Sequence, residues 1–272
     1  MNKRLLINKI VMMLATATAL IGLAFLIWIL SVLLYKGISS IDWSVFSHDL
    51  VNKGLRNVIV GQFVLAGVAT LIGVPLGMLA GIYLQEYGKY SKFANFIRNL
   101  SDVMMSAPSI VVGVFVYSIF VIAHGGYFGW AGSIALAIMM IPIVVSTTDS
   151  MLSLVPQELR EAGIALGASK AKVILSIVLK AAKTGLITGI LLAFARVVGE
   201  TAPLLFTSAN SDYFTLNMNG QFPSLTVSIY QLATFPDNRS IALAWAGSVI
   251  LTFLVLFINI TTRYIFRQRK AK

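Results

Sequence analysis

The chain has 272 residues, 58% of them apolar and 11% charged, and a formal net charge of +11. Globular domains average about half apolar and about a quarter charged, so too little polar surface exists to wrap this much hydrocarbon, and lipid is the expected solvent. The lack of cysteine excludes disulfide frameworks, thiolate nucleophiles and most zinc sites. His48 and His124 fall between apolar runs, so no metal or cofactor is expected, and basic residues in short separated patches argue against nucleic acid as a partner.

A spanning helix needs about 20 mainly apolar residues, each adding 1.5 Å, to cross about 30 Å of hydrocarbon. Six runs qualify, near residues 11–34, 58–84, 103–123, 130–148, 186–207 and 241–262. The first follows Lys3, Arg4 and Lys9. It exceeds the roughly 7–15 apolar residues of a signal peptide and has no small-residue cleavage site after Trp28, which makes it an uncleaved span. Residues 1–57 thus form an N-terminal unit of segment, span and outer loop, and 58–272 hold the other five spans.

In the second run Gly73, Gly77 and Gly81 recur every four residues, a stripe that lets helix backbones approach closely in lipid. Pro75, Pro108, Pro142 and Pro203 lie in or beside spans, where freed carbonyls are tolerated only if buried or facing a cavity. That points to a polar route between helices. Asp102 and Asp149 sit at span ends, and their sequence order gives no shared site.

Residues 149–185 are too polar to cross and read as two short helices around a turn. Pro156 offers a start, followed by Glu158 and Glu161, and Gly167 a break before Ala168–Lys183. Leu159, Ala162, Ala165 and Leu166 share one helical face, which needs a partner. The sequence Glu161-Ala162-Gly163, then Gly167, then Ile177 and Leu179 resembles the EAA loop of importers in the ATP-binding-cassette (ABC) superfamily. It departs at Gly163, where the pattern has Ala, and at Lys180, where it has Pro. The resemblance implies that this helix docks on a separate ATPase subunit, with Glu161, Ala162, Gly163 and Gly167 as coupling residues. No G-x-x-x-x-G-K-[ST] phosphate loop is present, so ATP hydrolysis is expected of another subunit and enzymatic activity is not expected of this one.

In the fifth run Arg196 and Glu200 fall near the middle of the span, where a charge costs ~2.5–3.5 kcal/mol or more. Four residues apart, they are expected on one helix face with Gly185, Gly189, Ala193, Pro203 and Thr207. A guanidinium is always charged and grips phosphate oxygens through two parallel hydrogen bonds. A neighbouring carboxylate would hold it in place and keep anions releasable. Charge alone leaves open that the two merely neutralise each other between helices.

The stretch from Ala193 to Thr207, AFARVVGETAPLLFT, resembles PstA-type phosphate permeases. The APSIVVG run from Ala107 to Gly113 agrees with this, as do Leu159-Arg160-Glu161-Ala162 and Ala165 to Lys170, and the similarity extends from about residue 55 to the C-terminus. Ser146, before Thr147 and Thr148, departs from an arginine common in that family. The resemblance implies an all-α integral membrane protein with six transmembrane helices in the type I ABC importer permease fold. It also implies a second, PstC-like permease, a dimeric PstB-like ATPase and an external PstS-like phosphate-binding protein, with Arg196, Glu200 and Thr201 lining the substrate route. A permease for sulfate or molybdate, or an ion-coupled secondary transporter using Glu200 as a proton relay, are the alternatives that the residues leave open.

Residues 208–240 form the longest outer connection. Leu225, Ile229 and Leu232 could line one face of a short helix there, leaving Tyr230 and Gln231 for docking of a binding protein. Basic residues retain loops in the cytoplasm. With the N-terminus inside, sixteen fall in inner segments, including Arg267, Arg269, Lys270 and Lys272. Four fall outside, namely Lys36, Lys53, Arg56 and Arg239, and Arg196 is left within a span. Both termini are expected in the cytoplasm of a bacterium, with the chain in its inner membrane.

Overall fold

The computed structural model describes residues 3–265, and every regular element among them is helical. Arg267, Arg269, Lys270 and Lys272 lie outside the described residues. In chain order the helices are α1 (Lys3–Ile38), α2 (Trp43–Ser47), α3 (Arg56–Glu86), α4 (Lys92–Ser106), α5 (Ser109–His124) and α6 (Gly129–Ser153). They continue as α7 (Gln157–Ala165), α8 (Lys170–Val198), α9 (Ala202–Thr207), α10 (Leu225–Thr234) and α11 (Asn238–Ile265). Five of these, α1, α3, α6, α8 and α11, are each long and apolar enough to cross a membrane. The bent pair α4 and α5 meets the same length and apolarity only when taken together, which brings the count to six.

That pair corrects the expectation of one continuous span over 103–123, because α4 and α5 meet at an angle of 101°. The cause is Pro108. A proline disfavours helical backbone in the residue before it and offers no N–H of its own. Ala107 accordingly has ψ 139° and Pro108 ψ 131°. The apolar residues from Val103 to Ser106 therefore belong to an amphipathic helix, and the crossing piece starts at Ser109.

The core is a seam between α3 and α6, and the glycine stripe builds it. A Cβ added at Gly73 would lie 3.2 Å from the Met140 Cβ, at Gly77 2.7 Å from the Val144 Cβ, and at Gly81 2.5 Å from the Thr148 Cβ. The constant offset makes the two helices parallel neighbours in contact over more than two turns. Around the seam pack Leu65, Ala66, Ala69, Leu136 and Ala193. By contrast, α1 meets the rest of the chain near its last turn, where Gly37 abuts Val249 and Trp245 of α11, while its apolar side chains from Leu5 to Ile29 are exposed.

At the end of the bundle where α3 finishes, two arginines tie helices together. The Arg160 Nη2 donates to the Glu86 Oε1 at 2.7 Å and to the Leu152 carbonyl at 2.8 Å, with both side chains of the pair nearly buried. Arg98 grips Asp149 through Nε at 2.8 Å and Nη2 at 3.1 Å and also donates to the Leu84 carbonyl. Beside this second pair lies a cavity of about 160 Å³ lined by Ser101, Asp102, Ser146 and Asp149. Asp102 and Asp149, which sequence order had kept apart, thus face one space because the α4–α5 bend folds α4 across α6.

Candidate substrate path and coupling elbow

The predicted coupling helix is α7, and it closes in a sharp elbow. The Ala168 N–H reaches back to the Gly163 carbonyl at 3.2 Å and the Gly167 N–H to the Ile164 carbonyl at 2.9 Å. This paired closure of a helix end needs a left-handed residue, which Gly167 supplies at φ +78°. Ser169 then opens α8 by accepting a hydrogen bond from the Lys172 N–H at 3.4 Å. Gly163, at the Ala position of the motif, is buried, and a Cβ there would lie 2.7 Å from the Ile177 Cδ1 and 2.9 Å from the Val173 Cγ2. The small residue lets α7 press directly onto the first turns of α8.

Glu161 and Ala162 are exposed on α7, as are Leu159, Ile164 and Leu166, the last at 88%. The face expected to need a partner is thus uncovered within this chain. Arg160, which sequence counting treated only as a topology charge, anchors α7 to the end of α3 through Glu86. Its burial is a property of tertiary packing and left no trace in the motif.

The second helix of the loop is not separate from the fifth span. Residues 170–198 form one helix, with a π turn at Ile174–Val178, and at about 1.5 Å per residue it runs roughly 43 Å. The coupling elbow stands at one end and Arg196 at the other.

The expected span 186–207 is in turn broken. α8 ends at Val198, residues 199–201 leave the helix, and α9 resumes at Ala202. Pro203 explains the break, since in a continuous helix its ring would clash with the carbonyl of Gly199. Instead it packs on Gly113 of α5 at a distance that leaves no room for a Cβ. The single helical face predicted from Gly185 to Thr207 therefore stops at Arg196. Gly185 and Gly189 pack on Met151 and Thr147 of α6, and Glu200 sits in the break.

Those same contacts make α8 antiparallel to α6. Beyond them the end of α8 meets the first third of α3, where the Gln62 Nε2 donates to the Val198 carbonyl at 2.9 Å. The break therefore lies inside the bundle, and Arg196 is in the last turn of its helix. The Arg196 Nε stands 3.9 Å from the Glu200 Oε1, with 53% of the arginine side chain exposed against 17% of the glutamate. Thr201 opens α9, and its carbonyl accepts from the Leu205 N–H at 3.1 Å. Arg196, in the last turn of α8, thus stands near Glu200 in the break, with Thr201 next in the chain, at the opposite end of α8 from α7.

Irregular backbone at membrane depth occurs where it is buried or lines a water-filled cavity. Half-helices that end near the midplane are a recurring means of building transport sites. A half-exposed arginine within the bilayer cannot face lipid. The fold and this site define a multi-span helical membrane protein with a half-exposed arginine at a broken helix, a build used by transport proteins.

Comparison with known proteins agrees. Residues 73–270 match the family model of the binding-protein-dependent transport system inner membrane component. Over 97% of its length the chain is 48% identical to the phosphate transport system permease protein PstA of Haemophilus influenzae, covering 95% of that protein. It is 46% identical to the PstA of Yersinia pestis over 97% of the chain and 91% of that protein. Among solved structures, a permease of a bacterial transporter that imports the acidic polysaccharide alginate superposes with TM-score 0.69 over 99% of this chain and all of that one, at 14% identity. A chain of the inward-facing MetNI methionine transporter gives 0.62 over 80% and 95%, at 21% identity. The chain belongs to the PstA-type permeases of the binding-protein-dependent, ABC-type importers. Membership implies a second permease, an ATPase and a binding protein as its partners.

Proposed function

We propose that the chain forms half of a passage through which an ATP-driven importer carries inorganic phosphate into the cell, with Arg196 as the anion contact. The observation that carries this reading is a half-exposed guanidinium at a broken span beside a carboxylate too distant for a full hydrogen bond. Such a guanidinium keeps its donors free for phosphate oxygens, which it matches in pairs. Glu200 keeps it in place and limits how tightly an anion is held, and Thr201 adds a hydroxyl at the same break. Phosphate, rather than another oxyanion, follows from relatives of 45–48% identity that are named phosphate permeases.

At the other end of α8 the exposed face of α7 receives a PstB-like ATPase dimer, with Glu161 and Ala162 at the surface and Gly163 and Gly167 shaping the elbow. Nucleotide chemistry belongs to that subunit. The continuous α8 carries the motion of α7 to Arg196. The Arg196 face meets a PstC-like permease, and a PstS-like protein delivers phosphate at the end bearing α10. The sixteen-to-four charge count orients the α7 end and both termini to the cytoplasm. Residues 1–57 act as an N-terminal unit attached through α1 and α11, and 58–272 as the permease core.

The test is labelled-phosphate uptake in cells lacking their own permease and supplied with the partner subunits. Arg196→Gln is expected to lower uptake at least tenfold with unchanged amounts of membrane protein. Wild-type uptake in that variant would remove Arg196 from the route, and efficient competition by sulfate in the wild type would overturn phosphate as the substrate.

A further inference from the structure

The break beside Arg196 leaves carbonyls that no helix satisfies. Local backbone closes some of them. The Gly199 N–H donates to the Arg196 carbonyl at 3.0 Å and the Glu200 N–H to the Val197 carbonyl at 3.2 Å. Two others are taken up by side chains from distant helices. The Gln62 Nε2 of α3 donates to the Val198 carbonyl at 2.9 Å, and the Thr226 Oγ1 of α10 donates to the Glu200 carbonyl at 2.8 Å.

These donors are themselves fixed. The Gln62 Oε1 accepts from the Ser224 Oγ at 2.9 Å, and the Ser224 N–H donates to the Asn210 Oδ1 at 3.1 Å. Asn210 continues to Gln231 of α10 through its Nδ2 at 3.1 Å. Gln62, Ser224 and Thr226 are all buried. Gly61 allows the contact, since a Cβ there would collide with the Pro223 carbonyl oxygen at 2.1 Å, so the segment leading into α10 lies directly on α3.

We infer that Gln62 and Thr226 are positioning residues for transport, clamping the α8–α9 break so that Arg196 and Glu200 are held in fixed register with α10. This rests on the reading of Arg196 as the anion contact. Among the described residues no other hydrogen bond ties the two carbonyls, so a chain without the clamp has a break free to rotate and an Arg196 without a defined aim. The clamp also joins α10, at the far end from the coupling elbow, to the break that α8 reaches from the other side.

Because the chain has no cysteine, Gly199→Cys, at an exposed position of the break where a Cβ has room, introduces its single thiol there. In the assembled transporter carrying that reporter, the rate of modification by an anionic methanethiosulfonate and the uptake of labelled phosphate are both measured. Gln62→Met and Thr226→Val are each expected to raise the modification rate about tenfold and lower uptake about tenfold, at equal amounts of extracted complex. Thr226→Ser, which keeps the hydroxyl, should stay within about twofold of the parent in both. An unchanged modification rate, a Thr226→Ser as defective as Thr226→Val, or uptake lost only in step with assembled complex would each overturn the clamp. Arg196→Gln in the same background separates the two readings. Full uptake there removes Arg196 from the route whatever the clamp does, while lost uptake there with silent clamp variants removes the clamp alone.

Discussion

The seam between α3 and α6 and the break between α8 and α9 both touch α3 and are held by opposite means. The seam has unbroken backbones, satisfied by their own hydrogen bonds, and is stabilised by close approach where Gly73, Gly77 and Gly81 remove the side chain. The break gives up backbone continuity and is held by a few hydrogen bonds from Gln62 and Thr226. In lipid, where apolar burial drives little helix association, tight packing makes the rigid part. Discontinuity sets the half-exposed Arg196 beside irregular backbone. The difference teaches that the same chain separates scaffold from path by where it spends its polar groups.

The comparison breaks most severely at the seam. Gly77→Leu puts a branched side chain where even a Cβ meets Val144 at 2.7 Å, and overpacking of this kind typically costs 1–3 kcal/mol or more. Extracted complex should fall to near background. Gly67→Ala, on the same helix with open space around it, should leave the yield unchanged, and equal losses in both would deny the seam its special role.

A smaller effect is expected at the elbow. Arg160→Ala strands the buried Glu86, at a cost of about 3–5 kcal/mol, and should lower the thermal unfolding midpoint of the complex by several degrees. Adding Glu86→Ala should restore part of that loss, and a double variant worse than the single one would contradict the pairing. Within the break, Glu200→Gln removes the moderating charge. Initial uptake rates should fall severalfold at saturating phosphate with a half-saturation concentration unchanged or lower; a raised half-saturation concentration at full velocity would contradict the role given to Glu200.

The smallest effect lies outside both regions. Asp237 caps α11, accepting from the Ser240 N–H at 3.1 Å and its hydroxyl at 3.0 Å, and these bonds hold its carboxyl below the ordinary range. A depressed carboxyl contributes fully above its unfolded value near about 3.9 and loses that contribution as pH falls through the folded value. Asp237→Ala should therefore lower stability slightly at pH 7, and the difference from the parent should shrink only as pH falls below the unfolded value of about 3.9 toward the lower folded one.

Much of the scaffold was legible because lipid imposes length and small-residue spacing on sequence. The glycine stripe predicted the seam, and Leu225, Ile229 and Leu232 predicted the packed face of α10, where Leu225 and Leu232 are buried. The motif at Glu161 to Gly167 marked the elbow. Hydropathy could not show the bend at Ala107–Pro108 or the break at Gly199, since both lie inside continuous apolar runs. Pro108 and Pro203 were the available signals, and each was read only as a loosened carbonyl. The merging of the loop's second helix into the fifth span was hidden because its Lys residues read as loop. Arg160 with Glu86 and Gln62 with Val198 are 74 and 136 residues apart, and no local pattern encodes such pairs.

The central claim is that Arg196, at the break, handles the anion while α7 and α8 handle the coupling. It is tested most directly by counting phosphates moved per ATP hydrolysed in the reconstituted transporter with Arg196→Gln. Hydrolysis stimulated by the binding protein should persist while phosphate moved per ATP falls at least tenfold. A ratio equal to that of the wild type would contradict the account.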